Sequence, residues 1–206
     1  MLITKLFNYV LLASSKYNID ETHNIQHSMQ VLHHAKKIYD SEIKKNPLLK
    51  EQERIIFGAA VLHDMCDKKY VDETVGLREM EEYLEEKMTP IEINVIKTII
   101  STMSYSKIKK VGYPTMGVYQ QAFHIVRESD LLAAYDFDRC MLYSINRQNT
   151  DVEDAFEHAD HLFERRMFKQ IEDGLFVHDY SLCEAKRLNE LALQRLQTWK
   201  DLLQYD

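Results

Sequence analysis

The chain has 206 residues, 45% of them apolar and 29% charged, so it can bury one sizeable core beneath a polar surface. Only 5 Gly and 3 Pro occur, which argues against hairpins, tight βα turns and glycine-rich phosphate loops and favours an all-α protein. The net charge of -7 disfavours binding to a nucleic-acid polymer, which requires a basic stripe, whereas a small phosphorylated molecule needs only a few local cations.

The N-terminal stretch contains a short apolar run at 6–13, interrupted by Asn8. The run is far shorter than the ~20 apolar residues of a membrane span, and no convincing signal-peptide cleavage site follows it. We therefore expect a first amphipathic helix and no membrane association. The three cysteines, Cys66, Cys140 and Cys183, are scattered and form no C-x-x-C pair. They indicate free thiols in a reducing compartment, so we expect a cytoplasmic protein.

Further helices are predicted in chain order by apolar residues at helical spacing. One helix is expected over about 24–44, closed by Pro47, and another begins with Thr89 as N-cap and Pro90 at its first position. Two glycines and a proline mark a loop near 105–117. The apolar stripes occupy six stretches: 31–39, 55–62, 91–100, 123–134, 155–171 and 182–196. The pattern predicts a bundle of roughly eight helices.

The chain shows no linker, repeat or low-complexity tract, so we expect one domain over residues 1–206. Its motif-bearing core would span 22–136, and its C-terminal helices 151–202. The apolar stripe of the last helix could pack on the domain or against a second copy, which leaves a homodimer open.

Polar residues lie on the same helix face as three of these apolar stripes. His27 lies one helical turn before the first stripe, and His63, with Asp64 beside it, continues the second. Asp130 lies within the fourth. Each residue alone is better explained as a hydrogen-bonded core histidine, a cap or an ion-pair partner. Because unpaired buried charges are costly, three helices that each direct such a group inward favour a shared divalent-metal site.

The segments that contain these residues are THNIQHSMQVLHHAKKIY at 22–39, AAVLHDMCDKKY at 59–70 and HIVRESDLLAAYD at 124–136. Together they resemble the HD-domain metal-dependent phosphohydrolase superfamily, whose pattern is a His, a His-Asp doublet and a distal Asp. Within it, the chain is most similar to the YedJ/YpgQ-type group, over roughly 20–200. The resemblance implies an HD-domain-like helical bundle. The metal ligands that it implies are His27, His63, Asp64 and Asp130.

The resemblance also implies an enzyme that hydrolyses a nucleotide or another small phosphorylated substrate. Nucleoside triphosphates, cleaved to monophosphate and pyrophosphate, are one candidate class. A metal-activated water would attack phosphorus, with Asp64 between the metal and the water. One divalent ion is expected; manganese is favoured for a mixed imidazole and carboxylate site, with magnesium, cobalt, nickel, iron and zinc as alternatives.

Two residues are candidates for proton transfer. Other superfamily members use an acidic residue three positions after the doublet, a place that Asp67 occupies, with Lys68 beside it as a candidate phosphate contact. A solvated helix end explains Asp67 and Lys68 equally well. His23 lies one helical turn before His27 and could reach the same pocket, although an exposed helix-end histidine is the slightly better interpretation.

Further cations are candidates for binding the phosphates of a substrate. Arg127 precedes Asp130 by three residues, which predicts the same side of that helix. Lys109 and Lys110 are placed in the predicted loop, where they could close over a substrate. Isolated cations on an acidic protein are more often solubilising, so the lysine pair is the weaker candidate.

The chain departs from the family pattern at three places. Met103 stands where a histidine is frequent, a D-A-D triplet reads Glu128-Ser129-Asp130, and the first motif reads His23-Asn24 instead of His-Asp. None removes a candidate ligand, but together they disfavour a second metal ion. Two other functions stay open. An HD-type di-iron oxygenase would need extra ligands, for which three histidines exist: His33, His34 and His124. A non-catalytic binding module would normally have lost its ligands.

Overall fold

Ten α-helices form the computed structural model, which describes residues 1–20 and 22–204, and no strand occurs in those ranges. The all-α prediction is therefore confirmed, with short helices raising the number above eight. In chain order the helices are α1 (Leu2–Tyr17), α2 (Ile25–Glu42), α3 (Glu53–Leu62), α4 (Glu73–Leu84), α5 (Pro90–Thr102), α6 (Tyr105–Val111), α7 (Gln120–Ala133), α8 (Phe137–Tyr143), α9 (Val152–Leu162) and α10 (Asp179–Leu203).

The helix ends follow local capping chemistry. The hydroxyl of Thr89 accepts from the backbone N–H of Glu92, whose carboxylate in turn accepts from the N–H of Thr89, and Pro90 opens α5. At the start of α2, the side-chain oxygen of Asn24 accepts from the N–H of Gln26 at 3.2 Å. Both predicted starts are confirmed.

The predicted loop near 105–117 is wrong in its first half. Residues 105–111 form α6, whose N-terminus is capped by Ser104: its hydroxyl accepts from the N–H of Lys107 at 3.4 Å. The helix ends at Gly112, which has a φ of 80° that other residues rarely adopt. Only one of its residues, Ile108, is buried, so the stretch carries too weak an apolar period to be recognised.

The centre of the molecule is formed by α2, α3 and α7, which pack against one another. Every residue of α3 from Ile55 to Leu62 is buried, and almost all of α7 is buried as well. Helix α5 covers α3 closely: a Cβ atom at Gly58 would lie 2.8 Å from Cδ1 of Ile96. The ends of these central helices therefore meet inside the protein.

Two widened, π-helical turns follow consecutive helices. Helix α8 runs into one at Ser144–Gln148, and α9 runs into another at Phe163–Met167. The N–H of Phe168 donates to the carbonyl of Phe163 at 3.0 Å, which is the five-residue spacing of a π turn. Such turns often occur at functional sites because they redirect side chains.

The long helix α10 packs on the same domain, against α2, α7, α8 and α9. The guanidinium of Arg195 makes a two-pronged ion pair with Asp138 of α8, and the indole N–H of Trp199 donates to the same carboxylate at 2.8 Å. The domain itself therefore covers part of the apolar stripe of this helix.

Over the part of the chain that the structure describes, we find no helix with the length and apolarity that crossing a bilayer demands. All three cysteines are free, and Cys66 is buried.

Candidate metal centre

Three central helices bring the four predicted ligands together. His27 lies in the first turn of α2, His63 and Asp64 follow the last residue of α3, and Asp130 lies in the last turn of α7. Because the apolar stripes of these helices pack against one another, the polar residues that interrupt the stripes meet at a single point.

The imidazole nitrogens and carboxylate oxygens of this cluster lie within a few ångströms of one another. The Nε2 atoms of His27 and His63 are 3.1 Å apart, and Oδ2 of Asp64 lies 3.4 Å and 3.3 Å from them. Oδ1 of Asp130 lies 3.3 Å from His27 Nε2 and 3.5 Å from His63 Nε2. The group of His27, His63 and Asp64 could hold a metal ion, since its ligand atoms all lie within 4.8 Å of one another.

The surroundings of the cluster fit a cation. Nδ1 of His63 is 3.0 Å from the carbonyl oxygen of Ala60, a contact that turns Nε2 toward the other ligands. Oδ2 of Asp64 is buried and has no hydrogen-bond donor among the described residues. A buried carboxylate oxygen without a donor is costly, so its position favours a positively charged partner.

The protonation of the cluster indicates the same charge balance. Burial opposes a charge on His63, yet the neighbouring Asp64 and Asp130 raise its pKa well above the usual value. The pKa of Asp130 is well below its usual value because His27 and His63 contact it, despite burial. Burial lowers the pKa of His27. The two carboxylates therefore favour positive charge at the centre of the cluster.

A cavity of about 680 Å³ opens beside the cluster, a volume in the range of small-molecule sites. Its described lining has more cations than anions although the protein is acidic. The cationic side chains are Lys68, Lys69, Lys107, Arg139, Arg165 and Arg166, and the carboxylates are Asp64, Asp67, Glu73 and Asp130.

His23 lines this cavity, held by a hydrogen-bonded group of three side chains. The hydroxyls of Thr22 and Tyr70 both donate to Asp20, the latter at 2.5 Å. Nδ1 of His23 lies 2.8 Å from the Thr22 hydroxyl and 3.0 Å from that of Tyr70. Since both hydroxyl protons go to Asp20, Nδ1 must carry the hydrogen of His23, and Nε2 carries the lone pair. Burial lowers the pKa of His23, which favours this neutral form.

Asp67 and Lys68 also line the cavity, as predicted. Oδ1 of Asp67 accepts from the N–H of Lys69 at 2.9 Å, so the carboxylate also stabilises its own turn. Lys68 is exposed at the rim. The structure thus places both residues at the cavity and gives Asp67 a structural contact in addition.

The three other predicted substrate contacts lie elsewhere, and the prediction of their position is corrected. Lys109 and Lys110 belong to α6, not to a loop, and the described wall of the cavity includes neither. Lys109 is paired with Asp173 at 2.8 Å. Arg127 is buried away from the cavity, with its guanidinium 3.1 Å from Glu128 and over the ring of Tyr113.

The sequence interpretation missed the arginines of the cavity wall. Arg139 lies on α8, and Arg165 and Arg166 lie on the π-helical turn after α9. No motif surrounds them, and the irregular turn places them off any regular helical period. A pair of cations within the predicted apolar stripe at 155–171 was the one available signal.

The three histidines considered as further ligands lie away from the cluster of candidate ligands. His33 and His34 line a separate groove between α2, α8 and α10, and His124 contacts Gln120 and Arg127. Among the described residues, the cluster at His27, His63 and Asp64 is the sole group of three or more metal-binding side chains.

No family model, curated protein or solved structure matches the chain. The interpretation of the site therefore depends on its own geometry and chemistry.

Proposed function

We propose that the chain is an enzyme, a metal-dependent phosphohydrolase that acts on a nucleotide or another small phosphorylated substrate. The observation that carries this proposal is the convergence of His27, His63, Asp64 and Asp130 beside a cavity with an excess of cationic side chains. The resemblance to HD-domain phosphohydrolases supports the same activity, since these four residues carry its motif.

The two imidazoles and two carboxylates would hold one divalent ion. Their mixed nitrogen and oxygen chemistry favours Mn²⁺, with Mg²⁺, Co²⁺, Ni²⁺, Fe²⁺ and Zn²⁺ as the other ions to compare. When bound, such an ion lowers the pKa of a coordinated water and polarises a phosphoryl oxygen.

The chain itself supplies orientation and proton transfer. Asp64, with a buried oxygen that lacks a donor, would accept a hydrogen of the attacking water and orient it. His23, neutral and with its lone pair on Nε2, would accept or return a proton in the cavity, with Asp67 as the second candidate. Lys68 at the rim would contact a phosphate oxygen.

No observation favours either of the two other functions, a di-iron oxygenase or a non-catalytic binding module. A di-iron oxygenase requires further ligands, and the three spare histidines lie away from the cluster among the described residues. A binding module gives no reason for four inward-directed ionisable groups to meet at one cavity. The three free thiols fit the cytoplasmic location that we expect.

Metal content and a substrate screen test the proposal together. We expect about one transition ion per chain and metal-dependent release of phosphate or pyrophosphate from nucleotides or sugar phosphates. Asp130→Asn should lose the ion and reduce the rate about 100-fold or more. The matched control is Asp40→Asn, which removes an exposed carboxylate of α2 that pairs with Lys36 and should keep both properties.

Two results would overturn the proposal. One is a protein that binds none of the six ions, which would favour the binding module. The other is a stoichiometry of two irons with oxidation of an organic substrate and no hydrolysis, which would favour the oxygenase.

A further inference from the structure

Two arginines of the cavity wall have buried atoms without partners. Nη1 of Arg139 donates to the carbonyl of Thr22 at 2.9 Å, but its Nε is buried and unpaired. The guanidinium of Arg166 lies 4.3 Å over the ring of Tyr105, and its Nε is likewise buried and unpaired. Within the described residues, neither guanidinium has a carboxylate at ion-pair distance.

Arg127, which is buried in the core, shows a different arrangement. It is paired with the buried carboxylate of Glu128 at 3.1 Å, so its charge is balanced inside the protein. Placing a guanidinium away from bulk water without such a partner is costly. A structural role therefore explains Arg127, whereas Arg139 and Arg166 are half-buried in the cavity wall, where an anion in the cavity would balance their charge.

Both arginines line the same cavity as the cluster of candidate ligands, and their charges act on each other and on that cluster. Burial lowers the pKa of Arg166, and the charge of Arg139 lowers it further, while Asp130 opposes both effects. After burial, the charge of Arg139 is the strongest influence that lowers the pKa of His27. Repulsion between two guanidinium groups would be relieved by an anion between them.

We propose that Arg139 and Arg166 form a phosphate-binding subsite, which holds the phosphate next to the phosphorus that is attacked. The assignment of the anion as phosphate rests on the proposed function. The metal cluster would hold the reacting phosphate, so this separate pair is available for a second, linked phosphate. Guanidinium groups match two phosphate oxygens at once, and the stacking of Arg166 on Tyr105 fixes the plane of that group. The subsite selects substrates with two or more linked phosphates over simple monoesters.

The binding of inorganic pyrophosphate to metal-free protein tests the subsite without requiring catalysis. Isothermal titration in EDTA at constant ionic strength would compare wild type, Arg139→Gln and Arg166→Gln. We expect each substitution to weaken binding about tenfold or more, because each removes charge-assisted hydrogen bonds. Arg78→Gln is the matched control, since Arg78 is exposed and lies outside the described lining of the cavity. It should bind pyrophosphate as tightly as the wild type.

Arg139 also contacts the backbone of Thr22, so a charge-keeping variant of the other arginine tests the subsite without disturbing that contact. Arg166→Lys keeps the charge but loses the planar group, and it should bind with an affinity between those of wild type and Arg166→Gln. Orthophosphate should bind to the wild type more weakly than pyrophosphate does. The arginine substitutions should also reduce the affinity for orthophosphate less than the affinity for pyrophosphate. Circular dichroism would establish that each variant keeps its helices.

The outcomes separate this subsite from the proposed function. Pyrophosphate binding that is absent in the wild type, or equal in both arginine variants and the control, would overturn the subsite even if metal-dependent hydrolysis is found. Arginine-dependent binding without hydrolysis by any of the six metals would support the subsite and contradict the function.

Discussion

The carboxylate of Glu128 accepts a hydrogen bond from Nδ1 of His178 at 3.0 Å, with both residues buried. It also accepts from the N–H of Val177 at 3.0 Å and pairs with Arg127. His178 immediately precedes α10, so one carboxylate links α7, two residues before Asp130, to the start of the C-terminal helix. Glu128 therefore has a structural role of its own, next to the helix turn that carries Asp130.

Glu128→Gln should lower the free energy of unfolding by about 2–4 kcal/mol, because the shape is kept while the charge that the buried Arg127 requires is lost. Urea unfolding followed by circular dichroism would measure the change. Glu82→Gln removes an exposed carboxylate 3.7 Å from Arg78 and should cost less than about 1 kcal/mol. Similar losses in both variants would contradict the structural role of Glu128.

Stability should fall as the pH is lowered from about 6.5 to 4. Burial lowers the pKa of His34 and of His124 to about 4. In that interval the unfolded chain binds protons at these two positions and the folded chain does not, which favours unfolding. The raised pKa of His63 acts in the opposite sense, but only above the unfolded value of about 6.5. The lowered pKa values of Asp64 and Asp130 matter below about pH 4.

Urea unfolding of metal-free protein at pH 7 and pH 5 would test this pH dependence. We expect each histidine to account for about 1–2 kcal/mol of the loss at pH 5. His34→Gln and His124→Gln should each lose less stability between the two pH values than the wild type. The exposed His158 of α9 provides a control, and His158→Gln should follow the wild-type curve. Parallel curves for all variants would refute the assignment.

A divalent ion should raise the melting temperature, because it binds the folded cluster and has no such site in the unfolded chain. At a free Mn²⁺ concentration about 100 times the dissociation constant, the expected stabilisation is about 2.7 kcal/mol. Calorimetry with and without Mn²⁺ would measure the shift. Asp130→Asn should abolish most of it, while Asp40→Asn should preserve it. A full shift in Asp130→Asn would exclude Asp130 as a ligand.

Tyr70→Phe should reduce turnover several-fold while metal content stays unchanged. The substitution removes the hydroxyl that donates to Asp20 and lies 3.0 Å from Nδ1 of His23, so the imidazole loses part of its orientation. The rate at saturating substrate would report the effect, with the bound metal measured in parallel. Tyr17→Phe offers a control, because Tyr17 bonds to Glu79 on the surface. An unchanged rate would show that Tyr70 does not position His23.

The sequence was sufficient to predict the helical class and the meeting of the four polar residues. Both depend on apolar spacing: helices that bury their stripes against one another must also bring together the polar groups on those stripes. The start of α5 was predictable for a local reason, since Thr89 and Pro90 specify a helix N-terminus by themselves.

The cations could not be assigned in the same way. Side chains three residues apart on a helix point about 60° away from each other. On α7, most of which is buried, that angle is enough to direct one side chain into the core and the other toward the cavity. Arg127 therefore points to Glu128 while Asp130 points to the metal cluster. Arg139 and Arg166 line one cavity because α8 packs against α9, a tertiary arrangement that no local pattern records.

In the π-helical turn at Phe163–Met167, the number of residues in the turn, rather than their identity, determines where the side chains of the cavity wall point. Deletion of one exposed residue of this turn, Glu164, would let the backbone return to α-helical geometry. Arg165 and Arg166 would then rotate about the helix axis by about 100°. A deletion that removes no cavity-lining side chain would then displace two cations of the cavity wall.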